Sequence, residues 1–454
     1  MRTSKIKIYL LLLFLITFSI IKNTKAQSLT VIRDSEVEIF LKEISYPIFE
    51  AADLDPESIK IYVIQDQCLN AFVANGLNLF INSGTITEAA NYNELVGVIS
   101  HETGHIMGGH LIRSQEKLNN LQQTSLISAI IAGAAAVASG RGDVGIALAT
   151  GANTSSIGSY MSYRKNEERA ADKSATELLN KTNQSAKGLL SFMKKVKQQE
   201  FFISNNNNEY FRTHPLTRER ITYVENQVKQ ENAKISNKNL ETRFKNIQAK
   251  LFAYIEPTSK TFLRYNNKNF SDDAKYARAI AYMKNIDLKK SIMEINSLIN
   301  KNPDNPYYHE LKAQIYYENG NMEKAKDEYE IAYKILPDSK LIIASYAQTL
   351  ISNKNNQYDN KKAIKLLKEI LIKDQKNNNA WRLLSIAYNN TGNELAAKYA
   401  AAEYSYSIND FSLAKKQSEN LINKLDKNSS LYFKVDDIIS RTNLILKKPR
   451  NNPR

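Results

Sequence analysis

His101-Glu102-Thr103-Gly104-His105-Ile106-Met107-Gly108-Gly109-His110 is the stretch on which the reading of this 454-residue chain turns. Coiled as a helix, His101 and His105 stand one turn apart and about 40° apart around the axis, so both imidazoles reach one metal ion. Glu102 follows the first histidine. From there its carboxylate reaches a water in the metal's open position and accepts a proton as that water attacks a carbonyl. The chain has only five histidines, which makes a chance HExxH uncommon. Leu95, Val98, Ile99 and Ile106 recur at helical spacing beside the pair, so the motif is expected on a helix packed into a core.

The third ligand separates the zinc-hydrolase classes. A metzincin needs a histidine at position 111, which is Leu111; Gly108 fits that class, but His110 comes one residue early. A His2Glu set takes its glutamate from a second helix instead. Arg164 to Ala175, RKNEERAADKSA, offers Glu168 and Asp172 at i, i+4 on one face, with Ala171 small enough for that helix to approach the first. On this reading Glu168 ligates zinc and Asp172 accepts the N–H of a ligating imidazole, fixing its tautomer. The same run also reads as a solvated charged helix, and only the presence of HETGH tips it toward the ligand.

HETGH, then ExxAD at Glu168 to Asp172, then HPLTRERI from His214 resemble the HtpX and CAAX-prenyl-protease group of zinc metallopeptidases. NAFVANGLNLFINSGTI, Asn70 to Ile86, is similar to that group's strand-forming segment, with Asn75-Gly76-Leu77 where Pro-Gly-Gly is usual. Arg164 stands four residues before Glu168 where three is commoner, and the Ala171-Asp172 pair sets the register on Glu168 rather than Glu167. The motifs follow the family's order between residues 30 and 225. The resemblance implies a gluzincin-type site with one Zn2+ per chain on His101, His105 and Glu168, and Glu102 as the catalytic base. It also implies that His214 faces the metal, either stabilising the oxyanion or capping the zinc at rest, two roles that differ in whether the ring offers a proton or a lone pair. Arg220 would orient a carboxylate of the site. His110 and His309 read as packing residues.

Ile59 to Ile64 and LNLFINSG ending at Gly84 alternate and are rich in β-branched or aromatic residues, so both read as strands ahead of the metal helix. Zinc proteases commonly hold substrate as an added strand along a sheet edge, and Asn70, Ala71 and Phe72 are the expected edge. The lone Cys68 has no internal disulfide partner and is expected to be buried beside a strand.

Arg2, Lys5 and Lys7 precede the apolar run Ile8 to Ile21, and Thr24-Lys25-Ala26 then offers a small residue before a cut. This reads as a signal peptide over residues 1–26, cleaved after Ala26, and so as a periplasmic protein. The run's 14 residues are short for a membrane span, which needs about 20. Ser125 to Gly140 and the small-residue run from Asp143 to Gly158 read as packing, or as a hairpin lid that touches a membrane peripherally.

Beyond Asn232 the chain turns to lysine- and asparagine-rich helices. Pro306, Ala313, Tyr316, Gly320, Ala325, Tyr329, Ala332 and Pro337 fall on the positions of a tetratricopeptide repeat. The pattern returns from Asn378 with Trp381, Leu384, Tyr388, Gly392 and Ala397. A copy from Leu341 to Gln375 carries an insertion at Asn355 to Asn360, and a weaker copy ends at Pro303. Each helix pair must stack on its neighbours to bury its apolar face, and the concave side of such a stack binds peptides or proteins. The formal charge of +15 is dispersed with no recognition motif, so it reads as solvated faces and not as a nucleic-acid site.

The expected fold is therefore α+β and mostly helical: a zincin-like metalloprotease domain (27–232), a helical linker (233–270), an all-α tetratricopeptide solenoid (271–425), then a terminal helix and basic tail (426–454). The architecture resembles the BepA-type branch of the family. That implies protein substrates, unfolded or stalled envelope proteins, with the repeats engaging the outer-membrane assembly machinery. The rival reading is a periplasmic chaperone or assembly scaffold that acts through the repeats while His214 keeps the protease latent.

Overall fold

The computed structural model describes residues 30–74, 76–110, 113, 154–202, 214–231 and 237–447. The expected signal peptide, residues 125–153 of the small-residue region and the basic tail lie outside the described residues.

A four-stranded sheet opens the chain: β1 (Val31–Ile32), β2 (Lys60–Ile64), β3 (Ala71–Ala74) and β4 (Asn78–Asn82), in the order β1-β2-β4-β3. β2 and β4 run parallel, and β3 returns antiparallel to β4, with Ala71 opposite Ile81 and Phe72 opposite Phe80. Gly76, at φ 90°, supplies the left-handed position that this turn needs. Alternation then sorts the two faces. Val63, Ala71, Leu79 and Ile81 are buried, while Tyr62, Phe80 and Phe72 stack in a row across the other face at 5.3 and 5.2 Å.

The segment LNLFINSG leaves the strand two residues early. Ser83 and Gly84 begin a short helix, α2 (Ser83–Thr87), because Gly84 N–H donates to Asp66 O at 2.8 Å and turns the chain. A side chain at Gly84 would run into the backbone of Gln67 and Cys68. Cys68 is consequently exposed rather than buried: it lies in the tight 65–70 connection, where its N–H bonds Asp66 Oδ1 at 2.8 Å.

Four helices cover the buried face: α1 (Ser35–Ala51), α3 (Tyr92–Met107), α4 (Thr154–Lys181) and α5 (Lys187–Phe202). Phe40, Ile48, Leu95, Ile99, Leu178 and Phe192 share one core with the sheet. Asn91 caps α3 by accepting from Glu94 N–H at 3.2 Å. Glu94, fully buried, then accepts from Ser191 Oγ and Lys195 Nζ, each at 2.6 Å, and so pins α5 to the first turn of α3. α6 (Arg218–Gln230) follows, capped by Thr217.

α7 (Lys238–Ile255) contributes to two cores. Phe244, Ile247 and Leu251 join that of the sheet, while Ala249 and Ala253 join the one beneath Tyr276, Tyr308 and Ile315. Lys250, on the same helix, is buried and pairs with Asp34 at 2.7 Å and Glu36 at 3.3 Å. After α8 (Thr258–Arg264) come helix pairs: α9 (Asp272–Lys284) with α10 (Leu288–Lys301), α11 (Pro306–Glu318) with α12 (Met322–Ile335), α13 (Lys340–Ser352) with α14 (Gln357–Lys373), and α15 (Asn378–Asn390) with α16 (Glu394–Ser407). α17 (Phe411–Ile422) and α18 (Ser430–Lys447) close the stack. Ala313, Ala325, Ala332, Ala347, Ala363, Ala380 and Ala387 have no exposed surface, which is what close helix approach requires. His309 bonds Glu328 Oε2 at 2.7 Å and Pro303 O at 2.9 Å, a structural tie inside its repeat. Among the described residues no helix is long and apolar enough to cross a membrane.

Candidate metal centre

α3 carries His101, Glu102 and His105 to its C-terminal half, and α4 crosses it there. Gly104 makes the crossing possible, since a Cβ at that position would lie 2.7 Å from Ala171 O. Ala171, fully buried, is the matching small residue on α4. This contact brings Glu168 and Asp172, one turn apart, beside the two histidines. The segment before α6 adds His214, and α6 itself adds Arg220.

His101 Nε2 lies 3.2 Å from His105 Nε2, 3.3 Å from His214 Nδ1 and 3.4 Å from Glu168 Oε2. Glu168 Oε1 lies 3.4 Å from His105 Nε2 and 3.2 Å from His214 Nδ1. All four donor atoms fall within 4.8 Å of one another. Donors held 2.0–2.1 Å from one centre in a tetrahedron are separated by about 3.3–3.4 Å, and the five contacts at 3.2–3.4 Å among these groups suit a small four-coordinate cation. Three imidazoles, one carboxylate and no thiolate suit a first-row divalent metal of the kind imidazole binds, zinc among them.

The electrostatics point the same way. Burial disfavours a charged His101, but the ring's hydrogen bonds to the accepting Asp172 and Glu168 carboxylates outweigh it and raise that ring to about 9. The pocket's field therefore favours a positive charge. Burial likewise opposes ionisation of Glu168, yet His214, His101 and His105 together hold its carboxyl well below the usual range. His105, with less carboxylate around it, is pushed down by burial to about 3.

Asp172 Oδ1 sits 3.0 Å from His101 Nδ1, the nitrogen facing away from the cluster. Arg220 clamps the same carboxylate with Nε to Oδ2 at 2.6 Å and Nη2 to Oδ1 at 2.9 Å. Its Nη1 reaches Glu168 Oε2 at 2.8 Å and Pro215 O at 2.9 Å, so one guanidinium ties both carboxylates to the segment that carries His214. Glu102 is buried, with Oε1 3.4 Å from His214 Nε2. Burial pushes its carboxyl above the usual carboxylate range, the direction that suits a proton acceptor working near neutral pH.

The first residue of β3 also meets the centre. His214 Nε2 lies 3.2 Å from Ala71 O. Asn70 O accepts from Asn82 N–H on β4 at 3.0 Å, so the carbonyl of the next residue, Ala71, points away from the sheet, toward the centre. Asn70 is buried and Phe72 half-buried against Phe80. His101, Glu102, His105, Glu168, Asp172, His214, Arg220 and the carbonyl of Ala71 thus lie around one point, while Phe72 stacks on Phe80 and the backbone of Asn70 pairs with β4. His110 lies there as well, although it reads as packing: its Nδ1 lies 2.9 Å from His105 Nδ1. The available signal was compositional, because His110 makes the cluster hold four of the chain's five histidines.

A mostly helical domain with HExxH on one helix, ExxAD on the next and a returning histidine defines a metallopeptidase. Residues 33–228 match the model of peptidase family M48, and residues 278–409 match one described as the cytochrome c-type biogenesis protein H TPR domain. The chain thus joins an M48 metallopeptidase domain to a tetratricopeptide domain. It is similar to the putative beta-barrel assembly-enhancing protease of Vibrio cholerae, 24% identical over 383 residues that cover 81% of this chain and 76% of the relative. The beta-barrel assembly-enhancing protease of Escherichia coli is 21% identical over 391 residues, 82% of this chain and 76% of that one.

Proposed function

We propose that this protein is a periplasmic zinc endopeptidase that cleaves misfolded or stalled β-barrel precursors, with the repeats presenting substrate or docking the assembly machinery. The observation that carries the reading is the convergence of His101, His105, Glu168 and His214 on one cation-sized space beside Glu102. The relatives, named as beta-barrel assembly-enhancing proteases, supply the substrate class. When bound, zinc polarises the scissile carbonyl and makes a water acidic enough to lose a proton at neutral pH. His101, His105 and Glu168 hold the metal. Glu102 takes the water's proton and passes it to the leaving amine. Asp172 fixes the tautomer of His101, and Arg220 holds Asp172 and Glu168 in register. Asn70, Ala71 and Phe72 form the edge on which the substrate strand lies. Residues 1–26 act as the signal peptide, and the division at 232, 270 and 425 separates peptidase, connection, repeats and tail.

His214 caps the metal at rest, since Nδ1 stands among the ligand atoms while Nε2 faces Glu102 and Ala71. The deciding experiment compares purified wild type with Glu102→Gln on an unfolded β-barrel protein. The variant keeps its zinc and loses cleavage; equal cleavage by both proteins would end the enzyme reading. His214→Ala separates the ring's two roles, because a cap predicts faster cleavage and an oxyanion donor predicts loss.

A further inference from the structure

His105 differs from His101 in what supports it. The outward nitrogen of His101 meets a carboxylate, Asp172, at 3.0 Å. That of His105 meets another imidazole, His110 Nδ1, at 2.9 Å, with the two rings edge-to-face at 77°. The backbone is built to bring them together. α3 ends at Met107, Gly108 follows, and Gly109 takes φ 59°, a left-handed conformation that turns the chain back on itself. His110 is thereby laid against Gly108, where a side chain would collide with its ring, and is buried. A glycine pair whose result is to place one imidazole on a ligand's far nitrogen is more than a helix stop.

We propose that His110 is a positioning residue of the metal centre: its Nδ1 lone pair accepts the Nδ1–H of His105, locking the tautomer that presents Nε2 to the metal. The proton inventory closes. His105 can coordinate through Nε2 only if Nδ1 carries its proton, and that proton lies toward His110. His110 then keeps its own proton on Nε2. Support of this kind orients a ligand and raises its basicity, and its loss lowers metal affinity tenfold to a hundredfold, about that range for outer-shell partners generally.

The inference rests on His105 being a zinc ligand, and the test separates the two. Zinc affinity of the full chain is measured by competition with a chromophoric chelator for wild type, His110→Leu and His110→Asn, alongside the visible spectrum of each Co2+-loaded protein. Asparagine places Oδ1 where Nδ1 was and can accept the same hydrogen bond. The expected result is about a tenfold to hundredfold affinity loss in the leucine variant, with an altered Co2+ spectrum, and recovery to near wild type in the asparagine variant. Equal zinc affinity in wild type and His110→Leu overturns the positioning role while leaving the metal site intact. Equal losses in both variants, accompanied by equal drops in the Tm of the metal-free protein, overturn it in favour of packing. A wild type that takes up no zinc removes the metal-site reading and this inference together.

Discussion

The peptidase half and the repeat half bury very different things. Around the metal centre the buried residues are His101, Glu102, Glu168, Asp172, His214 and Arg220, which lie against one another as a single charged group. Through the repeats they are mainly alanines, leucines, isoleucines and tyrosines at repeated positions, with a few isolated polar ties such as Arg278 to Glu294 between neighbouring helices. A buried polar network loses disproportionately when one member goes, because its partner is left charged and unpaired. Stacked pairs lose roughly what the local contact contributed, because stability there is a sum over neighbours.

Four measurements sharpen that contrast, in falling order of effect. Asp172→Ala takes from the buried Arg220 guanidinium the carboxylate that holds it in two places, and from His101 its outward partner, and is expected to cost about 3–5 kcal/mol in chemical denaturation. A loss under about 1 kcal/mol would place this network among ordinary surface pairs. Gly104→Ala pushes α3 and α4 apart and so moves Glu168 from the two histidines. Cleavage should fall about a hundredfold, as for a misplacement near 1 Å, with zinc content falling too. Ala347→Leu in the repeats overfills a helix contact and should cost about 1–3 kcal/mol, with zinc affinity and cleavage of a short peptide unchanged. If cleavage falls with it, the two halves are not independent. Ile286→Gly should raise stability by about 0.5–1 kcal/mol, since a β-branched residue held at φ 60° is strained by more than glycine's added chain entropy costs.

Ile286 also shows why parts of the array were hard to read. Positions 320 and 392 take φ 76° and 77° and are glycines, and these anchor the two clearest copies. In the copy ending at Pro303 the equivalent turn is made by Ile286, exposed at 80%, so the sequence lacks its marker although the backbone keeps the bend. The candidate metal centre was legible because its histidines and carboxylates sit at fixed helical spacings that few other functions require. His110 was not, since its approach depends on a Gly-Gly reversal and not on any period. The sheet was legible from alternation as far as Asn82, where a hydrogen bond to Asp66 O at Gly84 overrides it. Cys68 was misplaced because hydrophobic character says nothing about a connection whose backbone is already committed. The double duty of α7 was equally hidden: its two apolar faces serve cores from different stretches of chain, and periodicity alone cannot assign them.

The carbonyl of Ala71 carries one more consequence. It is the first outward acceptor of β3, and the Nε2 of His214 already occupies it. On the proposed reading, in which substrate lies along this edge and His214 caps the metal, a polypeptide that pairs here competes for the same oxygen and by taking it releases the ring. Admission on that proposal would depend on a run of unpaired main chain, whatever its side chains, and a folded protein with every strand already partnered would leave the ring in place.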